Sequence, residues 1–148
     1  MKLLYKRERY LEKIRGFYSD DEIIKVITGV RRCGKSSLME MICDELLEKG
    51  VAKDNIIYIH LDRRSYKTVK TSEELEKIID QKCENVNGLK YLFIDEIQNI
   101  KGFEEMLNAY REEGEYSIFI TGSNSYLLSG ELVTKLTGRY IEFEMSTL

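Results

Sequence analysis

The sequence predicts an α/β domain whose core is a five-stranded, mainly parallel β-sheet flanked by helices. Short apolar runs alternate along the chain with longer segments in which apolar residues recur every three or four positions. This is the pattern of strands joined by crossover helices. The third run is apolar on both faces, as a central parallel strand must be. The length of 148 residues fits one such domain with a single core.

The strands are predicted from runs rich in β-branched and aromatic residues. The last run instead alternates between apolar and polar residues, which is typical of a strand near a sheet edge. The five predicted strands are Ile23–Thr28, Asn55–Asp62, Tyr91–Asp95, Tyr116–Thr121 and Arg139–Met145.

The helices are predicted from apolar residues at helical spacing and from residues that favour helix ends. They are expected over residues 6–18, from Lys35 to a glycine cap at Gly50, from an N-cap at Thr71 or Ser72, through Phe103, Met106, Leu107 and Tyr110, and over residues 125–136.

Composition excludes several classes of protein. A net charge of −3 gives no general attraction for nucleic acid, although it leaves room for a local basic face. No apolar run approaches the roughly 18 residues that span a bilayer, and no apolar region follows the basic start, so we expect a cytoplasmic protein without a membrane partner. The three cysteines lack metal-ligand spacing, which argues against a zinc site.

A phosphate-binding loop follows the first predicted strand. Residues 29–36 read Gly-Val-Arg-Arg-Cys-Gly-Lys-Ser, which matches G-x-x-x-x-G-K-[ST] at every fixed position. The glycines let successive backbone N–H groups point at phosphate oxygens, and the helix that begins at Lys35 adds its positive end. The Lys35 ammonium can reach the β- and γ-phosphates of ATP, and the Ser36 hydroxyl can bind Mg²⁺. The predicted ATP-binding residues are Gly29, Val30, Arg31, Arg32, Cys33, Gly34, Lys35, Ser36 and Ser37.

Three of these loop residues allow two interpretations each. Arg31 and Arg32 are either solvated charges or contacts that hold the loop or a neighbouring domain. Cys33 is either a small side chain that fits a tight loop or a thiolate activated by nearby positive charge.

Two carboxylates end the third predicted strand. Because the carboxyl ends of parallel strands share one edge, Asp95 and Glu96 should lie beside the phosphate-binding loop. Asp95 is the predicted second Mg²⁺-binding residue with Ser36, and Glu96 is predicted to orient and polarise the attacking water. The alternative is an ordinary acidic turn.

Two further positions are candidates for catalysis. Residues 121–125 follow the fourth strand, and Asn124 is predicted to contact the γ-phosphate, with Ser123 as second choice; these residues also suit a helix N-cap. Arg139 precedes the fifth strand and could act on a neighbour's γ-phosphate or form a surface ion pair. The lone histidine, His60, is interpreted as structural.

Together these motifs resemble the prokaryotic AAA+-type P-loop ATPases, in particular a group with a "GVRRxGKS" loop followed by a C-terminal domain of poorly understood function. The resemblance runs from about Arg7 to Phe143. It rests on four segments: Gly-Val-Arg-Arg-Cys-Gly-Lys-Ser-Ser, Tyr-Leu-Phe-Ile-Asp-Glu-Ile-Gln, Ile-Thr-Gly-Ser-Asn-Ser and Leu-Thr-Gly-Arg-Tyr.

The resemblance implies a three-layer P-loop NTPase core of the AAA+/RecA-like kind, with strand order 5-1-4-3-2. Lys35 and Ser36 match Walker A, whereas Asp95 and Glu96 match Walker B. Residues 1–21 match the helix and linker that cover the adenine, and residues 22–148 match the ATPase core. No helical lid is present in the sequence, so we expect the core to belong to a longer protein with a lid and a C-terminal domain.

Four functions fit this sequence: an ATPase that drives or gates an attached domain, a slow nucleotide switch, a small-molecule kinase and a DNA-associated ATPase. Glu96 favours hydrolysis over the kinase, because a hydrolase needs a group that orients water. The expected cofactors are ATP and Mg²⁺. Self-association, with Arg139 acting across the subunit boundary, is the expected assembly.

Overall fold

The centre of the molecule is one sheet of five parallel strands. The computed structural model describes residues 2–29, 34–122 and 134–145, with side chains from residue 8 onward. The strands are β1 (Ile24–Thr28), β2 (Ile56–His60), β3 (Lys90–Asp95), β4 (Tyr116–Gly122) and β5 (Tyr140–Glu144). Their order is β2-β3-β4-β1-β5, and every neighbouring pair is parallel. This confirms the fold class and the strand order 5-1-4-3-2, with β5 at an edge.

Helices cover both faces of the sheet and complete three layers. They are α1 (Lys2–Ile14), α2 (Lys35–Glu48), α3 (Ser72–Lys82) and α4 (Phe103–Glu113). Side chains of α1 and α2 share one buried cluster with Phe93 and Phe119 of the sheet. Side chains of α3 and α4 share the other with Leu92 and Ile120. Each face therefore has its own core, and each fully buried side chain of this size contributes about 1.5–3 kcal/mol.

The element boundaries differ from the predicted ones by a few residues, for local reasons. The first strand begins at Ile24, because the backbone N–H of Ile23 donates to Asp20 Oδ1 at 3.0 Å and not to a neighbouring strand. The second strand is shorter than predicted, since a 3₁₀ turn over Lys53–Asn55 precedes it and a turn follows His60. The first helix begins at Lys2, four residues before its predicted start.

Two predicted caps are confirmed. Thr71 caps α3: its side chain accepts from the N–H of Glu74, whose carboxylate accepts from the N–H of Thr71 in return. Gly50 follows α2 with φ +96°. The N–H of Val51 then donates to the carbonyl of Leu46 at 3.0 Å, which closes the helix end.

The helix predicted over residues 125–136 falls mostly on residues 123–133, which lie outside the described part of the chain. Within the described ranges, no helix is both long and apolar enough to cross a membrane.

Candidate active site

Polar residues from three strands converge at the carboxyl edge of the sheet. The registers pair Ile94 of β3 with Ile120 of β4, and Ile27 of β1 with Thr121. Asp95 and Thr121 therefore lie opposite each other, one residue before β1 ends at Thr28. The phosphate-binding loop that follows β1 begins at this same edge.

Asp95 is at the centre of a buried hydrogen-bond network. Its side chain is almost fully buried, with a residue exposure of 1%. Oδ2 accepts from Ser36 Oγ at 2.5 Å, and Oδ1 accepts from the hydroxyl of Thr121. A buried carboxylate is costly unless donors surround it, and hydroxyl groups from α2 and β4 fill that role here. Ser36 and Asp95, the two predicted Mg²⁺-binding residues, are therefore in direct contact, and their metal-binding role stays a prediction.

Lys35 is buried in the first turn of α2. Its residue exposure is 4%, and Nζ donates to the carbonyl of Gly29 at 2.9 Å. The helix begins after Gly34, which has φ +100°, a conformation that side-chain-bearing residues rarely adopt. The ammonium group and the positive helix end therefore face the same loop.

Glu96 is held in a strained backbone conformation directly after Asp95. Its φ of 60° and ψ of 50° lie in the left-handed region, which costs a non-glycine residue about 1 kcal/mol or more. Its N–H donates to Thr121 Oγ1 at 3.0 Å, and Gln98 Nε2 donates to its Oε2 at 2.6 Å. Strain of this kind concentrates at functional sites, because the surrounding structure must be organised to hold it.

His60 borders the network from β2. Its Nδ1 lies 3.9 Å from Asp95 Oδ2, and its ring stacks on Tyr58 with centroids 3.9 Å apart. Burial, helped by the nearby Arg63, lowers the pKa of His60 and favours the neutral imidazole. Ligand atoms of His60, Asp62 and Asp95 lie within 4.8 Å of one another. The stacking agrees with the structural role predicted for His60, although the ring also lies close to the site.

The end of β5 is hydrogen-bonded to Thr28, the last residue of β1 before the phosphate-binding loop. Thr28 Oγ1 donates to Glu142 Oε2 at 2.6 Å, and the N–H of Met145 donates to the Thr28 carbonyl at 2.8 Å. The buried Met145 side chain lies beside Gly34, with its Cε 3.7 Å from the position that a Cβ on that glycine would take. The end of β5 therefore contacts the described residues on both sides of the loop, Thr28 and Gly34.

Several predicted site residues lie elsewhere or outside the described residues. The structure does not describe Val30, Arg31, Arg32 and Cys33 of the loop, nor Ser123 and Asn124. Arg139 is exposed at the opposite, amino edge of the sheet, where its carbonyl accepts from the N–H of Ile24. It is therefore not brought to the site of its own chain, and its role across a subunit boundary stays a prediction.

Sequence reasoning missed two residues of the site. It considered Thr121 only as part of a polar segment, and it did not consider Gln98. The available signal was the threonine hydroxyl at the end of the strand expected beside β3, but only the register shows that it meets Asp95.

The fold and the site define a P-loop nucleotide-binding domain of the AAA+ type. Residues 21–148 match the family described as AAA domain, and the chain belongs to that family. It is 41% identical over 147 residues to an uncharacterized protein of Haemophilus influenzae, covering 99% of this chain and 36% of that protein. It is 36% identical over 127 residues to one of Methanocaldococcus jannaschii, covering 84% and 26%. The chain thus spans about a third of the length of these relatives.

Solved structures with the same fold have low sequence identity to the chain. A DNA polymerase III gamma subunit-related protein of Thermotoga maritima has a TM-score of 0.61 at 13% identity, covering 94% of this chain and 46% of that one. The ORC2 protein of Aeropyrum pernix, solved as ADPNP–ADP complexes, has a TM-score of 0.61 at 11% identity, covering 98% and 47%. A putative primosome component of Streptococcus pyogenes has a TM-score of 0.59 at 18% identity, covering 96% and 78%.

The residues of the site fit the magnesium–nucleotide complex that such domains generally bind. The oxygens of Ser36 and Asp95 are the hard ligands that Mg²⁺ prefers, and they already lie 2.5 Å apart. Lys35 and the N-terminal end of α2 supply the positive charge that a triphosphate requires.

Proposed function

We propose that this domain binds ATP with Mg²⁺ and hydrolyses it, and that the cycle drives or gates an attached domain. The observation that carries the proposal is the different placement of two adjacent carboxylates. Asp95 is buried against Ser36, whereas Glu96 is turned out of the strand by its left-handed backbone. We infer that Asp95 would hold the metal and that Glu96 would orient the water.

Binding would use the loop from Gly29 to Ser37. Backbone N–H groups at the start of α2 and the Lys35 ammonium would hold the phosphates, because charge-assisted hydrogen bonds are the strong ones in such sites. Ser36 and Asp95 would hold the metal. When bound, Mg²⁺ would neutralise charge on the β- and γ-phosphate oxygens.

Hydrolysis would use Glu96. Its carboxylate would orient a water molecule for in-line attack and accept the proton that the water releases. Gln98 would hold the carboxylate in place through Oε2. Thr121 would position both carboxylates, because its hydroxyl bonds to Asp95 and to the N–H of Glu96. Asn124 remains the proposed contact to the γ-phosphate.

The use of ATP for work on another domain is supported by the length of the relatives, of which this chain spans 36% and 26%. Self-association with Arg139 acting on a neighbour's γ-phosphate is part of the same proposal. Its exposed position at the amino edge of the sheet keeps it away from its own site and leaves it accessible to a neighbouring subunit.

The test is single-turnover ATP hydrolysis with the wild type and with Glu96→Gln, alongside equilibrium binding of ATP. We expect the variant to bind ATP with unchanged affinity and to hydrolyse it about 100-fold or more slowly, since general-base catalysis contributes about 10²–10⁴-fold. The matched control is Glu105→Gln on the exposed side of α4, which should leave both quantities unchanged.

A wild type that binds ATP but shows no Mg²⁺-dependent turnover above Glu96→Gln would refute hydrolysis and favour a slow nucleotide switch. A wild type that does not bind ATP would refute both functions.

A further inference from the structure

A group of exposed basic side chains lies beside the site, at the same edge of the sheet. The connection from β2 to α3, residues 61–71, contains four basic residues and one acidic residue, Asp62, in a chain with 23 basic and 26 acidic residues. Lys101 joins them from the segment after β3. We call Arg63, Arg64, Lys67, Lys70 and Lys101 the basic patch; all five are exposed.

The backbone fixes the two segments of the basic patch against each other. The N–H of Lys101 donates to the carbonyl of Lys70 at 3.0 Å, and the N–H of Ser72 donates to the carbonyl of Lys101 at 3.1 Å. A parallel bridge joins Thr71 to Lys101. The positive charges are therefore close together in space, although thirty residues separate Lys70 from Lys101 in the sequence.

The first segment is ordered by its own packing. Tyr66 and Val69 point inward and pack against the core beside α3 and α4. Backbone hydrogen bonds of 3.0 Å, from Tyr66 to Arg63 and from Val69 to Tyr66, close successive turns. Because the apolar side chains pack inward, the exposed side chains from Arg63 to Lys70 are cations and the hydroxyls of Ser65 and Thr68; Asp62, before this stretch, is also exposed.

The five cations of the basic patch form no close ion pair with the described residues, and the one acidic side chain of their loop, Asp62, precedes Arg63. The ion pairs of the described part of the chain involve none of the five cations. The nearest acidic side chain in the α3 cap, Glu74, already accepts from the N–H groups of Lys70 and Thr71 and from the Thr71 hydroxyl. The patch thus presents hydrogen-bond donors and positive charge to the outside.

We propose that the basic patch binds the sugar–phosphate backbone of a nucleic acid. An outer surface made of donors, with its apolar residues turned inward, suits phosphate oxygens, which need donors and positive charge. It does not suit a protein partner, because protein interfaces have an apolar, often aromatic centre. This inference goes beyond the proposed ATPase and does not depend on hydrolysis.

The position of the patch connects it to the site. Its first segment begins three residues after His60, which borders Asp95, and its second lies five residues after Glu96. Both segments therefore continue from the strand ends that carry the site. A nucleic acid bound to the basic patch would therefore lie next to the segment that joins Glu96 to Lys101.

The test is binding of fluorescent single-stranded and double-stranded DNA at several salt concentrations. The variant is Arg63→Gln/Arg64→Gln/Lys67→Gln. The matched control is Lys53→Gln/Lys77→Gln/Lys82→Gln, which removes the same charge from exposed positions elsewhere. ATP binding is measured on all three proteins, so that a folding defect or failure of the nucleotide site is seen separately.

We expect the wild type to bind at least one form of DNA, with a slope of log K against log salt of about −3 to −5 if all five cations contact phosphates. The patch variant should bind at least 10-fold more weakly with a slope reduced by about 2–3, and the control should bind like the wild type. ATP binding should be equal in all three.

Absence of DNA binding by the wild type at low salt would overturn the proposal. So would an equal loss in the patch variant and the control, since that would make binding a matter of net charge. Equally tight, patch-dependent binding of polyglutamate would also overturn it, because the surface would then recognise acidic protein as well.

Discussion

Two buried lysines lie at opposite ends of the parallel strands and have different hydrogen-bond partners. Lys25 lies near the amino edge, fully buried, and its Nζ donates to the Asp20 carbonyl at 2.6 Å and to Ser117 Oγ at 2.8 Å. Its ammonium also lies 4.7 Å from the centre of the Phe119 ring. Lys35, at the carboxyl edge, donates to the carbonyl of Gly29 in the loop where phosphate is expected.

The two lysines differ in the part of the molecule to which their hydrogen-bond partners belong. The Lys25 partners belong to the framework of the fold, because Ser117 in turn donates to the Tyr18 carbonyl at 2.6 Å and ties the segment before β1 to β4. The Lys35 partner, Gly29, belongs to the loop that is predicted to bind phosphate. We therefore expect Lys25 to act on stability and Lys35 to act on nucleotide binding.

The largest expected effect is on stability. Lys25→Ala should lower the free energy of unfolding by about 3 kcal/mol, because it leaves a cavity in the core and removes the donor to the Asp20 carbonyl and to Ser117 Oγ. Urea unfolding measures this loss. Lys25→Met, which keeps the volume, should lose less. A loss below about 1 kcal/mol in Lys25→Ala would show that the amino edge does not need this network.

The next effect is on nucleotide binding. Lys35→Met should weaken ATP binding by about 10- to 100-fold, the equivalent of one strong charge-assisted hydrogen bond. Its stability without nucleotide should not fall, because a buried ammonium is replaced by an apolar group. Titration calorimetry with Lys25→Met as the matched control checks the contrast. Equal ATP affinity in the two variants would remove the distinction between the lysines.

A third prediction uses pH. Burial lowers the pKa of Lys25 to about 7, against the opposing effect of Asp20 and Asp21. Between about pH 7 and 10 the unfolded chain then carries a proton on this amine that the folded chain lacks, so the folded state gains stability as pH rises. The wild type should gain up to about 1.4 kcal/mol per pH unit relative to Lys25→Met, measured by urea unfolding from pH 7 to 9. A constant difference across this range would show that Lys25 stays charged when buried.

The smallest effect concerns the glycine at the far end of α2. Gly50→Ala should cost about 1 kcal/mol of stability, since φ is +96° there and an added Cβ would meet nothing within 4 Å. ATP affinity should not change, whereas Gly34→Ala, at φ +100° in the phosphate-binding loop, should weaken it. Thermal unfolding and ATP titration of both variants check this. A loss of ATP affinity in Gly50→Ala would mean that strain at one end of α2 reaches the other.

Much of the fold and half of the site could be predicted from the sequence, because they depend on local patterns. Two patterns of fewer than ten residues each were sufficient: the continuous apolar run before Asp95 and the glycine spacing around Lys35. The contacts of Thr121 with the Asp95 carboxylate and the Glu96 backbone N–H could not be predicted in this way. It depends on the register of β4 beside β3, and a shift of one residue would turn the hydroxyl to the other face.

The burial of Lys25 was missed for a related reason. The predicted strand Ile23–Thr28 contains this lysine, but nothing in the neighbouring sequence indicates that its side chain is buried. Its acceptors come from Asp20 and from Ser117, ninety-two residues away. Only the assembled sheet shows that these groups meet.

The hydroxyl of Thr121 has one further consequence. It donates a hydrogen bond to Asp95 and accepts one from the backbone N–H of Glu96, so each of the two bonds polarises the other. A change in the hydrogen bond to the Asp95 carboxylate would therefore also alter the bond that holds the Glu96 backbone, through a single oxygen atom.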